Sequence, residues 1–174
     1  TVKIGVFREG WKESKEIDVV RALIETKTVK WNYVEQDGEK IVAALEKHSH
    51  RPFRESVINA TISRWNSHSH PLNLNAHTED NHKKYLLVHE LGHRVLLGCL
   101  GKRPYRDSLE SHQVLYLILS DTIRDVYGEE AIHELEMFEL RPGLPSLYRE
   151  SWEWVQQFDS YKSRQEELLK FYED

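Results

Sequence analysis

Apolar residues recur along this chain with two different periods, and the change from one to the other divides it. In the first half the period is often close to two. Val2 to Phe7 alternates weakly and predicts a short opening strand, and Val29, Trp31 and Tyr33 share one face of a strand over Thr28–Val34. Between Glu55 and Trp65, Ile58, Ala60 and Ile62 alternate with Val57, Asn59, Thr61 and Ser63. Leu72–Ala76 alternates again after the turn-like residues 66–71. The last two strands are expected to form an antiparallel hairpin. Helical spacing intervenes at Ile17, Val20, Leu23 and Ile24, and again at Ile41, Val42 and Leu45. Gln36-Asp37-Gly38 reads as the turn before that second helix, which should end before Pro52.

Beyond Ala76 the helical period takes over. One helix is expected from near Thr78, with Thr78, Asp80 and Asn81 as caps, to the glycines at Gly98 and Gly101. Others follow over Asp107–Tyr127, Glu129–Leu140, Ser146–Phe158 and Asp159–Tyr172. Strands early and helices late predict an α+β fold: a small antiparallel sheet packed on the helix that contains residues 89–93, followed by a helical half.

Composition narrows the class. A chain of 174 residues, 39% hydrophobic and without a Pro/Gly/Ser-rich linker, is expected to form one domain over residues 1–174. The single cysteine, Cys99, rules out an internal disulfide framework and suits a reducing compartment. No apolar run approaches the roughly eighteen residues of a membrane span, and Thr1–Phe7 does not read as a signal peptide, so a cytoplasmic protein is expected. A net charge of −5 gives no support for nucleic-acid or anionic-membrane binding.

The chemistry concentrates in His89-Glu90-Leu91-Gly92-His93, inside the apolar run from Tyr85 to Leu97. On a helix, residues four apart stack one turn from each other, so His89 and His93 can share one zinc ion. Glu90 lies about 100° round the same helix, placed to take a proton from water at that ion. Burying two histidines and a glutamate in an apolar helix without partners costs several kcal/mol, so these residues need a function. A catalytic zinc takes three protein ligands and leaves a fourth position open. The third ligand is expected from the helix beginning near Asp107, and three residues there compete. His112 shares a face with Leu115, Leu119 and Ile123 and is the preferred one. Glu110 has an alternative role as the third helical residue, folding back on an Asp107 cap. Asp121 is the other, or else accepts a hydrogen bond from a ligand imidazole. The His48/His50 and His68/His70 pairs permit an accessory metal site but read more simply as solvated loop residues, and His77, His82 and His133 as surface or capping groups.

With its apolar flanks, His89-Glu90-Leu91-Gly92-His93 resembles the active-site helix of the zincin group of zinc metallopeptidases, and the chain's size resembles short intracellular members from bacteria and phages. His112 to Asp121 is similar to the downstream helix of such proteins; the likeness spans roughly residues 78 to 128. Metzincins require a glycine and a third histidine where this chain has Leu96 and Cys99, which excludes that class. The glutamate motif of gluzincins is not found cleanly, and a third histidine on the next helix is more like the SprT-like class. The resemblance implies Zn2+ as cofactor, a protein or peptide substrate, and peptide hydrolysis with Glu90 as general base. In zincins an edge strand pairs with extended substrate, which the expected hairpin would supply. Tyr116, Tyr148 and Arg141 are the available oxyanion donors. The alternative is a zinc-containing binding or sensor module that recognises a partner without cutting it.

Overall fold

The computed structural model describes residues 3–7, 33–55, 57–63, 66–97 and 108–173. The expected helix over Ile17–Ile24, most of the strand over Thr28–Val34, and the Gly98, Cys99 and Gly101 stretch lie outside these. Among the described residues the chain is a mostly helical α+β protein. It has strands β1 (Lys3–Phe7), β2 (Val57–Ser63) and β3 (Leu72–Asn75). Its helices are α1 (Tyr33–Ser49), α2 (Lys83–Val95), α3 (Leu109–Tyr127), α4 (Ala131–Glu139), α5 (Ser146–Val155) and α6 (Tyr161–Glu173).

The sheet is parallel throughout, in the order β1-β2-β3, and this corrects the expected antiparallel hairpin. Lys3 pairs with Val57 and Phe7 with Thr61, while Ala60 pairs with Leu72 and Ser63 with Asn75. The reversal that the turn residues 66–71 imply does exist, but between other partners. His68 and Asn73 exchange both backbone hydrogen bonds, at 3.1 and 2.9 Å, as an isolated antiparallel bridge. The tight turn therefore joins β3 to the connector, and β3 runs the same way as β2. The burial of β3 agrees, since Leu72, Asn73 and Leu74 are all buried, as expected of a parallel strand covered on both faces. Its outer edge is occupied by the chain itself: besides the His68 bridge, Asn75 N donates to Ser67 Oγ at 2.9 Å and Asn73 Nδ2 to Asn66 O at 2.9 Å.

Helix α1 corrects a second expectation. It begins at Tyr33 and runs straight through Asp37-Gly38, which composition reads as a turn. Gly38 stands three, four and seven residues before Ile41, Val42 and Leu45, on the face they bury, and is itself buried. Helical packing of that face outweighs the local turn preference. After residue 107 the sequence-based boundaries hold within a few residues, because each helix there carries its own apolar face.

Helix α3 is the axis of the helical half and touches each of the other helices. Val114, Leu115, Leu117, Ile118, Leu119 and Ile123 are buried on nearly all sides of it. Its start is set by Ser108, whose side chain accepts from Ser111 N while Ser111 Oγ accepts from Ser108 N. The cap lies one residue later than expected, so Glu110 is not the reciprocating residue and is exposed at the second helical position. Helix α2 lies against β3, α1 and α3, preceded by a short 3-10 turn at Asp80–His82. No described helix is long and apolar enough to cross a membrane.

Candidate metal centre

Helix α2 is buried around most of its circumference. Tyr85, Leu87, Val88 and Leu91 are almost wholly enclosed, and His89, Glu90 and His93 are 4%, 6% and 4% exposed. Polar groups in such a place must be satisfied by one another or by a ligand. Gly92 sets how closely α2 approaches α3: a Cβ there would run into Leu115 Cδ1 and lie 3.7 Å from Leu45 Cδ2. With a hydrogen at this position, the first turn of α3 comes to rest beside the middle of α2.

That approach brings His112 to His89 and His93. One nitrogen from each ring lies within 4.8 Å of the others, and His112 is fully buried. Ring centroids are 4.8 Å apart for His89 and His93, 4.7 Å for His93 and His112, and 5.4 Å for His89 and His112. Of the three residues weighed as the third member, only His112 joins the cluster. Glu110 faces solvent. Asp121 is held by two arginines, with Arg164 Nε and Nη2 donating at 2.9 and 2.8 Å and Arg124 Nη1 at 2.6 Å.

The rings are also oriented from behind. His112 Nδ1 faces Ser108 O at 3.1 Å, and His89 Nδ1 faces Glu139 Oε1 at 2.8 Å. A carbonyl or carboxylate oxygen accepts only, so each Nδ1 carries a proton, and in the neutral ring each Nε2 keeps its lone pair. Burial, with the neighbouring His89 and His112, pushes His93 well below the ordinary imidazole range and keeps it neutral. Burial also opposes charge on His89, but the Glu139 carboxylate outweighs it and raises that ring, with Glu90 adding to the effect. Glu90 is therefore within electrostatic reach of His89.

This donor set fits a divalent ion of the zinc type. Zinc–nitrogen bonds of about 2.1 Å at tetrahedral angles place ligand nitrogens about 3.4 Å apart, so ring movements of about 1 Å would close the set. Among the described residues no further histidine, cysteine or carboxylate joins the cluster.

Two more groups border it. Tyr148, on the first turn of α5, stacks on His89 with ring centroids 5.7 Å apart and planes at 13°, and lies 4.4 Å from the His112 ring. Tyr116 is buried and donates its hydroxyl to Glu139 Oε2 at 2.8 Å, which removes it as an oxyanion donor. Arg141 donates to Phe138 O and covers the Phe138 ring at 4.0 Å, although its charge is felt at His89. Of the three donors weighed from sequence, Tyr148 is the half-buried one whose ring lies against the cluster.

Glu139 escaped sequence reasoning. It is the last residue of an amphipathic helix and carries no motif; only the buried spacing from Leu135 and Phe138 hints that it turns inward. The other histidine pairs do not form metal clusters among the described residues. His48 is a core residue, 2% exposed and bonded through Nε2 to Asp125 Oδ2 at 2.8 Å, whereas His68 Nδ1 contacts Pro71 O at 2.6 Å. No family model, curated protein or solved structure matches this chain.

Proposed function

We propose that this chain is a zinc-dependent metallopeptidase in which His89, His93 and His112 hold the ion and Glu90 is the general base. The observation that carries the reading is the convergence of three buried imidazoles from two helices, with Glu90 buried next to His89 on one of them. Zinc held there supplies a Lewis acid and lowers the pKa of water at the site to about 7. Glu90 takes the proton of the attacking water on its carboxylate and passes it to the leaving amine. The Tyr148 hydroxyl donates to the developing oxyanion, and burial of the surroundings strengthens that bond. His112 and His89 keep their lone pairs on Nε2 because Ser108 O and Glu139 hold the opposite nitrogens.

A sensor or binding module with a structural zinc would use a closed shell of four protein ligands. Three ligands among the described residues favour the enzyme, and so does Glu90, for which a structural site has no use. The proposed kinship with zincins rests on α2 and on the arrival of His112 from the next helix, an arrangement like that of SprT-like proteins. The sheet adds nothing to it. Metal analysis of the parent, His112→Ala and Glu90→Gln proteins, beside a peptide-cleavage assay, tests the reading. One zinc per chain is expected in the parent, loss of that zinc in His112→Ala, and full zinc without turnover in Glu90→Gln. Equal cleavage by Glu90→Gln and the parent would refute the role given to Glu90.

A further inference from the structure

The Glu139 carboxylate ends α4 with no exposure at all. Desolvating a carboxylate costs several kcal/mol, and an apolar residue of similar volume would close a core at lower cost. Its two oxygens are divided between two partners: Oε1 accepts from His89 Nδ1 at 2.8 Å and Oε2 from the Tyr116 hydroxyl at 2.8 Å. Tyr116 is fixed in turn, with its ring edge-on to Trp152 of α5 at 5.4 Å between centroids. The result is a buried relay of Trp152, Tyr116, Glu139 and His89 that ends on the imidazole opposite His93 and His112. Behind His112 the Ser108 carbonyl faces Nδ1 at 3.1 Å, a neutral oxygen where His89 meets a carboxylate.

We propose that Glu139 is the positioning residue of the metal centre, locking His89 with its proton on Nδ1 and its lone pair turned to the ion. This rests on the metal-binding reading above. It follows from the chemistry of a histidine whose far nitrogen donates to a carboxylate: the hydrogen bond fixes the tautomer and the ring plane, and the negative charge raises ligand basicity. Tyr116 restrains the carboxylate by its second oxygen.

Three variants test it: Glu139→Gln, Glu139→Leu and Tyr116→Phe. The glutamine amide oxygen can still accept from His89 but carries no charge, and leucine fills the volume with no acceptor. Zinc affinity, measured by chelator competition, is expected to fall about 10–100-fold in Glu139→Gln, further in Glu139→Leu, and by less in Tyr116→Phe. The cobalt-substituted proteins report the same change in their ligand-field spectra. Ring nitrogen shifts of the metal-free parent, read at alkaline pH where the ring is neutral, should show His89 as the Nδ1–H tautomer, and the leucine variant should lose that preference. Urea unfolding of the metal-free proteins separates folding from affinity, since a purely structural Glu139 would move the unfolding midpoint and leave zinc affinity unchanged. A Glu139→Gln protein that binds zinc as tightly as the parent, or a parent whose neutral His89 is the Nε2–H tautomer, overturns the positioning role alone. A parent that binds no divalent ion overturns the proposed function and this role with it.

Discussion

Adding one methyl group at Gly92 tests whether the closeness of α2 and α3 builds the centre. In Gly92→Ala the new Cβ would overlap Leu115 Cδ1, and Leu45 Cδ2 stands 3.7 Å away on the other side. Leu115 is wholly buried in the core, so a shift of its Cδ1 is made among packed neighbours. Overpacking of this kind costs about 1–3 kcal/mol. Replacing a mid-helix glycine by alanine returns about 1 kcal/mol through backbone entropy. The expected net loss is therefore about 0–2 kcal/mol, read as a lower urea midpoint with an unchanged slope. The same displacement moves His89 and His93 away from His112, so zinc affinity should fall together with stability. Leu115→Ala alone should cost about 2–5 kcal/mol. In the Gly92→Ala background it removes the overlapping atom as well, and should cost about 1–3 kcal/mol less than it does alone. A Gly92→Ala protein more stable than the parent, with full zinc affinity and no coupling to Leu115, would refute the reasoning.

The remaining predictions concern separate groups. Asp121→Ala removes the acceptor for Arg164, whose side chain is 14% exposed, and should destabilise the protein by about 3 kcal/mol in urea while leaving zinc content untouched. Asp125 carries a pH signature: the hydrogen bond from Lys47, joined by His48, holds its carboxyl below the ordinary 3.8. Its contribution is complete above about pH 4 and drains as pH falls toward the folded-state value, so Asp125→Asn should flatten the acid limb of stability against pH. Removing zinc with a chelator should lower the thermal midpoint of the parent but not of His112→Ala. Free zinc at 100 times its dissociation constant is expected to add about 2.7 kcal/mol to the parent.

Periodicity made the helices after residue 107 legible, because an apolar stripe specifies a helix whatever lies beside it. The spacing of His89 and His93 was legible for the same reason, and His112 stood out as a polar residue opening an apolar helix. The direction of β3 was not. Alternation along a strand says which residues share a face and nothing about which neighbour it pairs with, and the turn before Leu72 proved to belong to the His68–Asn73 bridge. Gly38 failed in a similar way, since turn propensity is a weak local preference and the packing of Ile41, Val42 and Leu45 overrode it.

By itself the sequence determined what the backbone alone dictates: that two imidazoles and a carboxylate occupy adjacent positions on one buried helix, within an α+β chain whose later half is helical. Only the tertiary structure decided that His112 rather than Glu110 or Asp121 meets them, that Asp121 serves Arg124 and Arg164, and that Glu139, fifty residues beyond His89, stands behind its ring. Contacts of that separation depend on how closely helices pack, and the van der Waals fit of Gly92 against Leu115 sets that distance in three dimensions.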